Sequence, residues 1–236
     1  MAGRGRAVRG IAGPRWRAHW LPGALLTLFV VLTVLVQLRA LAAYDLAVSL
    51  TRLEVEGPFL EVVSAVTGVL CSVELSLTYG LLAALFLWRR GLRLWALAPL
   101  AFIAVTPLEL LLKRFIAQPY VPDDLHSTVP YPLTAVAVGG AFPSGHALRA
   151  GFFLTFVAVL CWQKGGTGGR VLAICSLLLS LFIAYTRVYV GDHWLSDVVA
   201  GWALGAATAL LVAGPVMVGL CHVSAHSADS RESQVR

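Results

Sequence analysis

Apolar residues run through this chain in long stretches separated by short polar blocks, and the lengths of those stretches predict its elements. A helix needs about 20 largely apolar residues to cross a bilayer. Such segments lie at 21–38, 75–88 with an apolar run before it, 94–112, 147–162, 171–186 and 194–220. The expected fold is therefore all-α, a polytopic membrane helical bundle of about six transmembrane helices. Only the second segment reads two ways. Residues 62–73 are themselves apolar, so the region holds either one long tilted helix or a short membrane-dipping helix followed by a span. The chain divides into a basic tail at 1–20, a six-span domain at 21–220, and a Ser- and His-containing tail at 221–236 that reads as mobile chain.

Composition agrees with the pattern: 58% of the 236 residues are hydrophobic, 13% are charged and the mean hydropathy is +0.81. The net charge of +6 comes from short arginine blocks between apolar runs, which excludes a nucleic-acid surface. Four cysteines, Cys71, Cys161, Cys175 and Cys221, lie in apolar stretches without a CxxC pair and read as small buried hydrophobes. The first apolar segment has features of a signal peptide, but its uncharged core exceeds the usual length of about 7 to 15 residues. Arg39 also stands where a cleavage site disfavours charge, so the segment is expected to remain as a span.

Basic residues set the expected orientation, because cytoplasmic loops carry the excess of Lys and Arg. With the N-terminus inside, one side holds Arg4, Arg6, Arg9, Arg15, Arg17, Arg89, Arg90, Arg93, Lys164, Arg170, Arg231 and Arg236. The other side holds only Arg39, Arg52, Lys113, Arg114 and Arg187. Both termini are expected in the cytoplasm, and Trp16, Trp20, Trp88, Trp95 and Trp162 are expected to anchor span ends at the interface. The outward connection at 115–143 is long and rich in Pro and Gly, and a loop of that length in a bundle is usually functional.

Three polar clusters fall at the outer ends of the last four spans: Lys113-Arg114, Pro143-Ser144-Gly145-His146, and Thr186-Arg187 followed by His193 and Asp197. Topology brings them to one membrane face. His193 and Asp197 are four residues apart at a helix start, so the carboxylate can hold one imidazole nitrogen and leave the other free to attack. Arg187 is close enough in sequence to bind a phosphate beside them. Ser144 is placed to cap a helix whose free N–H groups at Gly145 and His146 form an anion site. His146 can give a proton to a departing alkoxide, and Lys113 adds a point charge.

Residues at these spacings resemble the phosphatidic acid phosphatase type 2 superfamily, whose signature combines a lysine followed by Arg-Pro, a PSGH, and Ser-Arg-x5-His-x3-Asp. The resemblance is strong from 111 to 202. It implies that His193 is the nucleophile, Asp197 its orienter, His146 the general acid and then base, and that Lys113, Ser144, Gly145 and Arg187 cradle the phosphate. It departs from the pattern in the first motif, where Gln118 and Tyr120 occupy the expected arginine positions, and at Thr186, which replaces the serine and keeps its hydroxyl.

The reaction expected is hydrolysis of a lipid phosphate or polyprenyl pyrophosphate in the plasma membrane, on the outer face, through a phosphohistidine and with neither metal nor cofactor. Rival readings are a lipid phosphotransferase and a weakened lipid-phosphate binding or transport protein. Arg149, one turn below His146, is a candidate to replace the missing arginine, and its alternative is an ion pair with Glu74 or Glu109. Glu109 stands four residues before Lys113 and is expected either to pair with it or to tune it. His126, His222 and His226 are expected to be uninvolved, and Asp123 and Asp124 to be solvated.

Overall fold

The computed structural model describes residues 20–52, 57–126 and 139–234. The basic segment before Trp20, which includes Trp16, and the centre of the long outer loop fall outside that set. Every regular element among the described residues is helical. The helices are α1 (Trp20–Gln37), α2 (Ala42–Arg52), α3 (Pro58–Leu70), α4 (Val73–Arg89), α5 (Phe102–Phe115), α6 (Gly145–Lys164), α7 (Gly166–Tyr189) and α8 (Leu195–Gln234). Five segments among the described residues have the length and hydropathy to span a membrane, or six where the bent pair of α3 and α4 counts as one span.

The second segment is therefore two helices and not one continuous helix. α3 and α4 meet at 58° around Cys71 and Ser72. Ser72 caps α4 by accepting a hydrogen bond from the Leu75 N–H at 3.3 Å. The freed carbonyl of Cys71 accepts one from Arg149 Nε at 2.6 Å. A broken helix is tolerated at membrane depth only where protein satisfies its backbone groups, and Arg149 does so here.

α6 and α8 form the centre. Of their apolar windows 61% and 67% of residues are buried, against 11% for α1. Small residues bring these two helices together. A side chain at Gly201 would overlap the Ser144 carbonyl, and one at Gly205 the Leu148 carbonyl. Phe102, Phe142, Leu148, Phe152, Phe156 and Leu204 fill the core around this contact.

Some local expectations change. The span expected at 94–112 opens with two short 3-10 turns, Arg93–Trp95 and Ala98–Leu100, before α5 begins, as Pro99 cannot donate within a helix. α8 continues past residue 220 to Gln234, because no proline or glycine interrupts the chain after Gly219. The unforeseen α2 is amphipathic and packs on α7 and α8. Cys71 is buried, but Cys161 is half-buried and Cys175 is exposed on the bundle exterior, where lipid replaces protein contacts. Trp20, Trp88, Trp95 and Trp162 are all exposed, and they cluster at the bundle end opposite the polar clusters. Arg93 stacks on Trp88 and Arg170 on Trp162 there, with guanidinium carbons 5.6 and 6.0 Å from the ring centres.

Candidate active site

The three clusters converge where α5 and α7 end and α6 and α8 begin. Ser144 is the N-cap of α6, and its side chain accepts from the Ala147 N–H at 3.4 Å. Its own N–H donates to the Asp197 carbonyl at 3.0 Å, which ties the start of α6 to the start of α8. Lys113 reaches the same place from α5, donating from Nζ to the Ala141 carbonyl at 3.3 Å.

His193 lies in the short link between α7 and α8, with 8% of its surface exposed. Its Nδ1 is 3.6 Å from Asp197 Oδ2, close to but not at hydrogen-bond distance, and both Nδ1 and Asp197 Oδ1 are buried without a partner. Asp197 Oδ2 accepts from the Trp194 N–H at 3.0 Å, which fixes the carboxylate. Burial, and then the Lys113 ammonium, lower the His193 pKa to about 3, so the imidazole is neutral near pH 7. A neutral ring with one nitrogen turned to a carboxylate has a lone pair on the other for attack. His146, half-buried on the first turn of α6, lies within electrostatic reach of His193, Arg187 and Lys113.

Arg187 is fully buried at the end of α7. Its guanidinium donates to the Ser64 carbonyl, to Thr67 Oγ1 at 3.2 Å, to Thr186 Oγ1 at 3.0 and 3.2 Å, and to Asp192 Oδ2 at 3.2 Å. Thr186 also shares a 3.0 Å hydrogen bond with Thr67, so the hydroxyl in place of the family's serine is used. α3 thus holds the arginine, and motif spacing carried no sign of that role.

Among these residues the chain matches the PAP2 superfamily over 93–216, more than half its length. It belongs to that superfamily. A 35% identical stretch of 65 residues matches an undecaprenyl-diphosphatase of Sulfolobus acidocaldarius, covering 28% of each chain. A lipid A 1-phosphatase of Rhizobium johnstonii is 33% identical over 106 residues, 44% of this chain and 40% of that one. The chain therefore spans about a quarter to two fifths of the curated relatives it matches. A transmembrane PAP2 type phosphatidylglycerolphosphate phosphatase from Bacillus subtilis shares the fold, with TM-score 0.68 and 21% identity over 83% of this chain and 95% of that one.

The departures from the PAP2 pattern have definite places. Tyr120 is 44% exposed, whereas Gln118 lines a cleft beside Lys113. Arg149 is buried below the cradle, with Nε on the Cys71 carbonyl and Nη1 3.8 Å from Glu109 Oε2. This is the ion-pair alternative, and Glu109 faces Arg149 as well as Lys113 four residues on. Glu74 is exposed on α4. Gly145 has its Cα against the Glu109 carboxylate and Arg149 Nη1, so those two groups already occupy the space below it. His126 Nε2 donates to the Val121 carbonyl at 3.0 Å in the outer loop, and Asp123 and Asp124 are exposed.

Residues before the PAP2 match also reach the site. Asp45 on α2 is 1% exposed and accepts from the Ser196 N–H at 3.0 Å and the Ser196 hydroxyl at 2.6 Å. The Trp194 indole N–H donates to the Pro119 carbonyl at 2.8 Å and so pins the first-motif loop beside His193. A lone Asp45 in an otherwise apolar stretch was the one available sequence signal for the first of these contacts.

Proposed function

We propose that this protein hydrolyses a lipid phosphate or lipid pyrophosphate at the outer face of the plasma membrane, through a phosphohistidine and without a metal. The observation that carries this reading is the neutral, buried His193 facing Asp197 with Lys113 in reach. The relatives named as acting on undecaprenyl diphosphate and lipid A support a lipid substrate.

In the first step the free nitrogen of His193 forms a bond to phosphorus. The bond from phosphorus to the lipid oxygen breaks, and its electron pair stays with that oxygen, which takes a proton from His146. Asp197 draws the Nδ1 proton closer as the ring becomes cationic. Lys113, Arg187 and the α6 N–H groups at Gly145 and His146 hold the phosphoryl oxygens. In the second step His146 takes a proton from water, the water oxygen bonds to phosphorus, and the P–N bond breaks to release inorganic phosphate. The bundle end bearing the tryptophans faces the cytoplasm in this reading, with both termini on that side.

The test is phosphate release from phosphatidate by purified protein with and without chelator, alongside His193→Ala. Turnover is expected to persist with chelator and to vanish in the variant. Loss with chelator, or full activity in His193→Ala, would refute the mechanism.

A further inference from the structure

We propose that a cleft beside the phosphate cradle binds a second phosphate of the substrate, the one that stays with the lipid. This rests on the phosphatase reading above and makes lipids with two phosphates the preferred substrates over those with one. The cleft has a volume of about 590 Å³ and lies between the α1–α2 turn, the start of α2 and the chain around Lys113 and Gly139. Arg39, Asp45, Lys113, Arg114, Gln118 and Trp194 set its chemistry. Three of these are cations. The cleft shares Lys113 with the cradle and Trp194 with the His193 link, so a group bound in it adjoins the phosphoryl being transferred.

Three observations make it a site for an anion beyond the one His193 attacks. First, Arg39 and Arg114 are exposed and form no ion pair among the described residues. Second, the single acid is spent elsewhere: both oxygens of Asp45 are taken by Ser196, and burial pushes its carboxyl above the ordinary carboxylate range. Third, Arg39 holds the left-handed conformation at φ 56°, the one non-glycine residue to do so among those described. That conformation closes the end of α1, where the Arg39 N–H donates to the Val36 carbonyl and the Ala40 N–H to the Leu35 carbonyl, both at 2.9 Å, and it places Arg39 in the cleft lining. The volume exceeds the needs of a single phosphate and suits a headgroup.

Two sources supply this chemistry. In a lipid pyrophosphate the second phosphate is bonded directly to the first. In a phosphorylated glycerophospholipid headgroup it is a phosphodiester separated by a short polyol.

The experiment compares the full-length purified protein with Arg39→Gln, Arg114→Gln and the double variant on polyprenyl pyrophosphate, phosphatidylglycerophosphate and phosphatidate. KM for a two-phosphate probe is expected to rise about tenfold per arginine, the effect of one lost charge-assisted contact. kcat/KM on phosphatidate is expected to stay within about twofold, which also shows that the variants fold. The two-phosphate probe that responds identifies the source. Equal losses on all three lipids, no loss on either two-phosphate probe, or a wild type that turns over phosphatidate alone would each overturn the proposal. A wild type inactive on all three would overturn the phosphatase reading and this inference with it.

Discussion

Asp45 and Ser196 join an amphipathic surface helix to the first turn of the helix that carries Asp197, through a 3.0 Å bond from the backbone N–H and a 2.6 Å bond from the hydroxyl. The carboxylate acts as an N-cap supplied from another element, at the end of α8 where the helix dipole favours negative charge. Asp45→Ala leaves a buried N–H and hydroxyl unmatched, and about 2 to 4 kcal/mol of stability is expected to be lost. Ser196→Ala removes one of the two bonds and is expected to cost less. Thermal unfolding in detergent ranks the two variants, and the reverse order would show that the hydroxyl bond dominates.

The 3.6 Å separation between His193 Nδ1 and Asp197 Oδ2 is one small movement from a hydrogen bond. Asp197→Asn keeps an acceptor for the Trp194 N–H but loses the charge that supports a cationic ring. kcat is expected to fall at least about a hundredfold on phosphatidate with little change in unfolding temperature. Rapid quench with a labelled substrate then shows slower formation of the phosphoenzyme. Unchanged burst kinetics would remove Asp197 from the chemical step.

Stability is expected to respond to pH through His193. Its folded pKa of about 3 lies below the ordinary 6.5, so between those values the unfolded chain binds the extra proton. Stability from this group is complete above about pH 6.5 and declines as pH falls toward 3, by at most about 1.4 kcal/mol per unit. Asp45, shifted upward by burial, acts in the opposite sense just above pH 3.8. The difference between wild type and His193→Gln isolates the histidine contribution. Melting curves from pH 7 to 4 are expected to have a shallower slope in the variant.

Arg149 supports the broken span and neutralises Glu109 at once. Removing it alone leaves a buried carboxylate, at a cost of about 3 to 5 kcal/mol. Arg149→Gln is therefore expected to unfold more easily than Arg149→Gln with Glu109→Gln. A double-mutant cycle on urea or thermal unfolding measures the coupling. An additive result would mean that Arg149 acts through the Cys71 carbonyl alone.

The proposed orientation puts Asp124 outside and Thr167 inside, both at exposed positions. Cysteines introduced one at a time, in a background lacking the four native cysteines, report their side through an impermeant thiol reagent on intact cells. Labelling is expected at 124 and not at 167. The opposite pattern reverses the bundle.

Sequence alone determined the helical class and the approximate limits of the membrane segments, because length and hydropathy are local properties that a bilayer reads directly. It also determined Ser144 as a cap and the nearness of His193 to Asp197, since caps and four-residue spacing act within about one turn, although His193 itself stands in the link before α8. Only the tertiary structure decided how the site is held. Arg149 meets Cys71 across 78 residues, Arg187 meets Ser64 across 123, and Ser196 meets Asp45 across 151. No local pattern encodes such pairs. Each exists because a polar group shut away from water must find a partner, and the packing of the bundle decides which one is near.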